Sequence, residues 1–310
     1  MHTDSRPAPT LIAGSLLAIL SLAPAQAQNL FENDSRSGQI LQFTPGGARS
    51  TFATGLNTPL CLTFDKSGNL FEVDGGSGHV YEYSPGGTQT TFASGLSSPV
   101  CLAFDTSSNL FVSDPGSNTI REFSATGADL GIFATGLSHP RGLIFDSSGN
   151  LLESDADSHT IFKFTPGGVK STFVSGLGNV GGLAFDKSGD LFASDTGLNK
   201  IWEFSPTGAN LGDFATGLNR PIYPVFDDGG NLFVSDSGSG QILRFTPGGT
   251  RSTFATGLSA PTGMTFGAAP AVPEASTLPA VGAGVVCLTL LTLVQRRRRG
   301  RSGLSGPSVG

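Results

Sequence analysis

Six aspartates recur through the chain at nearly constant spacing: Asp34, Asp74, Asp114, Asp155, Asp195 and Asp236. Each opens a short loop of small polar residues, as in "DGGSG" and "DTGLN". A ring of carboxylates is a donor set for Ca²⁺ or another hard divalent cation, which takes several oxygens at once. The same carboxylates can instead close their own loops, each accepting bonds from nearby backbone N–H groups in an Asx-type turn. A residue present in every copy of a repeat serves the repeat, so the turn reading is preferred. Asp65, Asp105, Asp146, Asp186 and Asp227 open a second recurring set of turns and are read the same way.

Chemistry that belongs to one place must break the repetition. His139 and Arg141 occur in one loop, Asp157 and His159 in the next, and Arg220 and Tyr223 in a third. A His–Asp pair with two arginines suits binding of a carboxylate or sugar acid, or acid–base work; the alternative is that these are ordinary solvated loop residues. The chain has no HExxH, G-x-S-x-G, Walker loop or CxxC motif, and no catalytic residue is assigned.

The residues that position these loops repeat every 40 or 41 positions, beginning at Asn29, Asn69, Asn109, Asn150, Asp190 and Asn231. That period is the signature of a four-stranded propeller blade. Within a copy, "PLCLTFD", "NLFEVD", "HVYEYSP" and "TTFAS" are four short β-prone runs separated by Gly, Ser, Asn and Pro turns. They are designated A, B, C and D. The chain enters at Asn29 with B, C and D but no A, and leaves through Pro261 to Phe266 with an A and no B. The two fragments complete one blade. The expected fold is therefore all-β: a six-bladed propeller of four-stranded blades, closed by one C-terminal and three N-terminal strands. All but one of the 23 Phe fall at four repeat positions and supply the core. Trp202 shares a strand face with Phe204 and is assigned to the core rather than to a ligand platform.

"GLSHPRGLIFDSSGNLLESD" and "GLSAPTGMTF" resemble NHL-type repeats, in the wider group of six-bladed propellers that includes the gluconolactonase-like (SMP-30-like) proteins. The resemblance spans most of the chain and implies the same ring of blades, with ligands held on the face formed by the B–C and D–A loops. Gluconolactonase-like enzymes use an acidic, Asn-rich metal site in the channel. Glu32, Glu72, Glu153 and Asn33 or Asn179 are the residues available for one, but the family motif does not match residue by residue.

Residues 1–27 read as a secretory signal peptide: Arg6, an apolar stretch from Leu11 to Leu22, and "AQA" before Gln28. At the other end, residues 272–300 carry Pro273–Glu274, an uncharged run from Leu278 to Val294, and Arg296, Arg297, Arg298 and Arg299. As a helix that run would span about 26 Å, enough for a thin bilayer, with the arginines and a 301–310 tail on the cytoplasmic side. This tripartite tail resembles the PEP-CTERM sorting signal of Gram-negative bacteria, with Ala275 in place of the motif's second Pro. The resemblance implies an exosortase-type peptidase as processing partner and delivery to the cell surface or extracellular matrix. The alternative is a simple C-terminal anchor.

The formal net charge is −6, and residues 28–271 are more acidic still, because Arg296–Arg299 and Arg301 lie in the tail. That balance excludes a nucleic-acid partner, which requires a basic surface. Cys61 and Cys101 occupy the same A-strand position in adjacent blades, where other blades have Gly142, Gly182, Tyr223 and Gly263. Two buried thiols are expected; a disulfide requires the two strands to lie close enough. The functional expectation is an exported, non-catalytic module for polysaccharide or a surface protein. The alternative is a metal-dependent gluconolactonase-like hydrolase or lyase.

Overall fold

The computed structural model describes residues 28–267. The signal peptide, the sorting motif Pro273–Glu274, the apolar run and Arg296–Arg299 lie outside the described residues. Among the described residues twenty-four strands form six four-stranded antiparallel sheets. The N-terminal strands are β1 (Asn29–Asp34), β2 (Gln39–Phe43) and β3 (Arg49–Thr54). Blade 1 is β4 (Pro59–Phe64), β5 (Leu70–Asp74), β6 (His79–Tyr83) and β7 (Gln89–Ala93); blade 2 is β8 (Cys101–Phe104), β9 (Leu110–Asp114), β10 (Thr119–Phe123) and β11 (Asp129–Ala134). Blade 3 is β12 (Pro140–Phe145), β13 (Leu151–Asp155), β14 (Thr160–Phe164) and β15 (Lys170–Ser175); blade 4 is β16 (Val180–Phe185), β17 (Leu191–Asp195), β18 (Lys200–Phe204) and β19 (Asn210–Ala215). Blade 5 is β20 (Pro221–Phe226), β21 (Leu232–Asp236), β22 (Gln241–Phe245) and β23 (Arg251–Ala255). The last strand, β24 (Pro261–Gly267), pairs with β1, so blade 6 has the order β24-β1-β2-β3. The six inner strands β24, β4, β8, β12, β16 and β20 each touch the next and close the ring. Closure between the two chain ends pairs sheet edges that would otherwise be open.

Strand B of every blade is buried along its whole length, because both faces of an interior blade pack against neighbours. The Phe that follows the first Leu of strand B is the wedge. Phe31 meets Phe64 of the next blade edge to face at 5.2 Å, and Phe71–Phe104, Phe111–Phe145, Phe192–Phe226 and Phe233–Phe266 repeat the contact at 4.9 to 5.1 Å. Burying each such ring stabilises the fold by about 1.5–3 kcal/mol, and edge-to-face pairing adds about 0.5–1.5 kcal/mol. Blade 3 has Leu152 at this position.

A second device holds blade to blade near the axis. Five inner strands show a register shift against strand B at their start, which frees backbone groups that need partners. The Ser113, Ser154 and Ser235 hydroxyls accept from the N–H groups of Cys101, Gly142 and Tyr223 at 3.0, 2.8 and 3.0 Å. Ser113 donates in turn to the carbonyl of Arg141, Ser154 to that of Gly181, and Ser194 to that of Ile222, each on the following blade. One hydroxyl thus closes its own sheet and stitches it to the next. Between blades 6 and 1, Thr262 Oγ1 reaches the carbonyl of Pro59 at 3.1 Å.

Candidate functional site at the channel mouth

The ring of six aspartates closes loops. Each carboxylate accepts backbone N–H groups of the loop that leads into its own blade: Asp34 from Ser259 and Ala260, Asp74 from Asn57, Asp114 from Ser97 and Ser98, Asp155 from Ser138, Asp195 from Gly178, and Asp236 from Asn219. Asp34, Asp74, Asp155 and Asp195 also accept from the N–H groups of their own B–C loops. The structure does not bring the six together as cation donors. Their oxygens are turned into the D–A and B–C loops, and among the described residues no three His, Cys, Asp or Glu side chains converge as a metal-holding group. Asp65, Asp146 and Asp186 likewise accept from N–H groups two and four residues on.

The symmetry-breaking residues separate into three places. Arg141 is half-buried at the start of inner strand β12, and its guanidinium donates to Asn179 Oδ1 on the next blade at 2.6 Å. Asn179 is itself held, its Oδ1 accepting from Thr196 Oγ1 at 2.8 Å. Burial lowers the Arg141 pKa; Tyr223 and Asp157 counter that, and the positive charge of Arg220 adds to it. The Arg141 guanidinium therefore lies within electrostatic range of both Asp157 and Arg220. Asn179 and Thr196 complete the group. Asn179 had been considered only as a metal donor, and Thr196 gave no signal, because "DTGLN" reads like any other B–C loop.

The two histidines are turned to other work. His139 and Arg220 sit at positive φ, 66° and 54°, and their N–H groups donate to Asn118 Oδ1 and Asn199 Oδ1 of the preceding blades at 3.0 and 2.9 Å. His159 contacts the Gly178 carbonyl through Nδ1 at 2.7 Å. A carbonyl only accepts, so Nδ1 carries the proton. Among the described residues neither imidazole hydrogen-bonds Asp157, so the His–Asp pair needed for acid–base work is not formed.

Tyr223 departs furthest from expectation. It belongs to inner strand β20, is 8% exposed, and lies below the mouth beside the two cysteines. Burial pushes its phenol pKa up, and the neighbouring Cys101 and Cys61 add to the shift. Cys61 and Cys101 are free and buried, their sulfurs 2.8 Å apart. Tyr223, Cys61 and Cys101 form the inner end of an axial cavity of about 520 Å³ that runs to Asp65, Lys66 and Asp105 at the A–B turns, on the opposite face from the Arg141 mouth. Trp202 packs in a core cluster, with its Nε1–H on Asp195 Oδ2 at 2.9 Å.

No family model matches the chain, and no curated protein matches it in sequence. Solved structures match it in shape. A chain of a nidogen/laminin complex superposes with a TM-score of 0.71 at 21% identity, over 78% of this chain and 99% of that one. A structure described as a gluconolactonase gives 0.64 at 16% identity, over 74% and 91%. A streptogramin B lyase gives 0.62 at 17%, over 77% and 84%. What they share with this chain is the fold. The neighbours include a binding partner and enzymes, so the fold leaves the function to the site.

Proposed function

We propose that the protein is an exported propeller, sorted to the cell surface or matrix, that binds an acidic group of a polysaccharide or surface protein at the channel mouth without transforming it. Export and sorting rest on the sequence: "AQA" before Gln28, Pro273–Glu274, the run from Leu278 to Val294 and Arg296–Arg299. One observation carries the binding reading. The Arg141 guanidinium is fixed by Asn179, which Thr196 fixes in turn, with Arg220 in electrostatic range. A pre-oriented guanidinium suits a carboxylate, which it can grip through two parallel hydrogen bonds.

The test is retention of the purified protein on a uronic-acid polymer and on a neutral glucan. Selective retention by the uronic polymer is expected. Arg141→Ala should weaken it by about tenfold or more, the loss of one charge-assisted contact. Equal retention on both polymers, or an Arg141→Ala variant that binds as well as the parent, refutes the assignment. The second reading, a metal-dependent hydrolase or lyase, is favoured by the enzymes among the fold neighbours. It predicts one equivalent of Ca²⁺ or Zn²⁺ by elemental mass spectrometry and a melting temperature that falls on chelation.

A further inference from the structure

The seam between blades 1 and 2 is built differently from the three that follow it. Ser113, Ser154 and Ser194 each donate to a carbonyl on the next blade. The matching position in blade 1 is Val73, buried and without a donor. At this seam the A-strand positions occupied elsewhere by three glycines carry Cys61 and Cys101, in the same register of adjacent strands, with sulfurs 2.8 Å apart.

We propose that Cys61 and Cys101 form a disulfide within the folded propeller, a covalent clamp across a seam that lacks the hydroxyl stitch. A disulfide bond is about 2.05 Å long, so the sulfurs need to close by less than about 1 Å. The thiols are 5% and 2% exposed, and both line the axial cavity leading to the A–B turns. That cavity is the route for a small reagent.

The oxidant is a small organic disulfide. One cysteine loses its proton, and its thiolate attacks one sulfur of the reagent, expelling a thiolate and leaving a mixed disulfide. The second cysteine, deprotonated in turn, attacks the protein sulfur of that bond and expels the second thiolate. Two electrons pass to the reagent, and the two cysteine protons end on the two released thiols. Burial pushes the Cys61 thiol up, so closure accelerates as pH rises and the thiolate fraction grows. The export proposed above would place the pair where disulfides persist.

The experiment treats the full-length protein with oxidised or reduced glutathione, alkylates remaining thiols in denaturant, and maps unreduced peptides by mass spectrometry. Oxidation should give a linked pair of peptides containing Cys61 and Cys101, about 2 mass units lighter than the two thiols. It should also raise the melting temperature by about 10 °C, from closing a loop of about 40 residues in the unfolded chain. A dithiol should reverse both changes. Full alkylation of both cysteines after oxidation, a persistent mixed disulfide at either, or linkage of either to the third cysteine of the sequence, Cys287 in the Leu278–Val294 run, overturns the proposal. These readouts are made on the parent chain, so they hold whether or not Cys61→Ser folds; where it does, it should show no oxidative shift.

Discussion

Replacing Glu72 with Gln should leave the propeller as stable as the parent near pH 4 and make it more stable at pH 8. Glu72 is fully buried on strand B, and neither carboxyl oxygen has a hydrogen-bond partner. Burial raises its pKa well above the ordinary carboxylate value, and the nearby charge of Asp74 raises it further. The folded state therefore holds a proton that the unfolded chain releases above about pH 4.5. A raised folded pKa means that the group's full contribution to stability is present below the unfolded pKa and is lost as pH climbs towards the folded one. Each pH unit in that window costs about 1.4 kcal/mol. Each such unit is worth roughly 4 °C in melting temperature for a domain of this size. Gln imitates the protonated acid and removes the dependence. The check is a pair of urea denaturation series from pH 4 to 8, in which the two stability curves should meet at the acid end and diverge above it. Parallel curves would mean that Glu72 stays charged in the fold. Glu32 and Glu153 are equally buried and raised by the same cause. There opposing influences, the Thr262 amide at Glu32 and the Lys170 charge and Arg141 amide at Glu153, pull the pKa back, so the pH window over which stability is lost should be narrower.

The blade count, the strand order and the closing blade were legible in the sequence because they rest on local signals: a period of 40 or 41 residues, turn residues at fixed offsets, and a missing strand A at one end. The turn-closing role of Asp34, Asp74, Asp155 and Asp195 within their own B–C loops was legible for the same reason, but the bonds all six make to the D–A loops come from residues at least 16 positions away and were not. The buried glutamates were not. Glu32, Glu72 and Glu153 were named only as residues available for a metal site in the channel, yet strand B is covered by neighbouring blades on both faces and all three are buried. Nor was the place of Tyr223, whose contacts Cys61 and Cys101 lie on blades 1 and 2 and meet it only when the ring closes. Arg141 was found by asking what broke the repeat. Its partner Asn179 was named only as a residue for a metal site, because nothing in "LGNV" shows that it meets Arg141 of the preceding blade.

Gly182→Ala should be among the most damaging single-methyl changes in the molecule. Aligning the repeats shows that strand A carries Gly142, Gly182 and Gly263 at one register, but not why. The backbone there is not left-handed, so conformational freedom is not the reason; the reason is space. A Cβ on Gly182 would lie 2.6 Å from Tyr223 Cδ1, 2.7 Å from the Ile222 carbonyl oxygen and 2.9 Å from Tyr223 Cα. Two of those three atoms are backbone of the adjacent inner strand, so relief requires blades 4 and 5 to part. Overpacking of this kind costs typically 1–3 kcal/mol, and the rigidity of the ring places this case at about 3 kcal/mol. Gly46→Ala, in an exposed turn where the nearest atom is 3.9 Å away, is the control and should stay within about 0.5 kcal/mol of the parent. Combining Gly182→Ala with Tyr223→Ala separates the contributions. Removing the ring relieves one contact of three, so a double-mutant cycle should recover part of the loss and not all of it. Denaturant midpoints for the parent, the two singles and the double decide the matter. A Gly182→Ala protein that unfolds with the parent would show that the inner strands have slack at this level. Full recovery in the double variant would assign the crowding to the tyrosine ring alone.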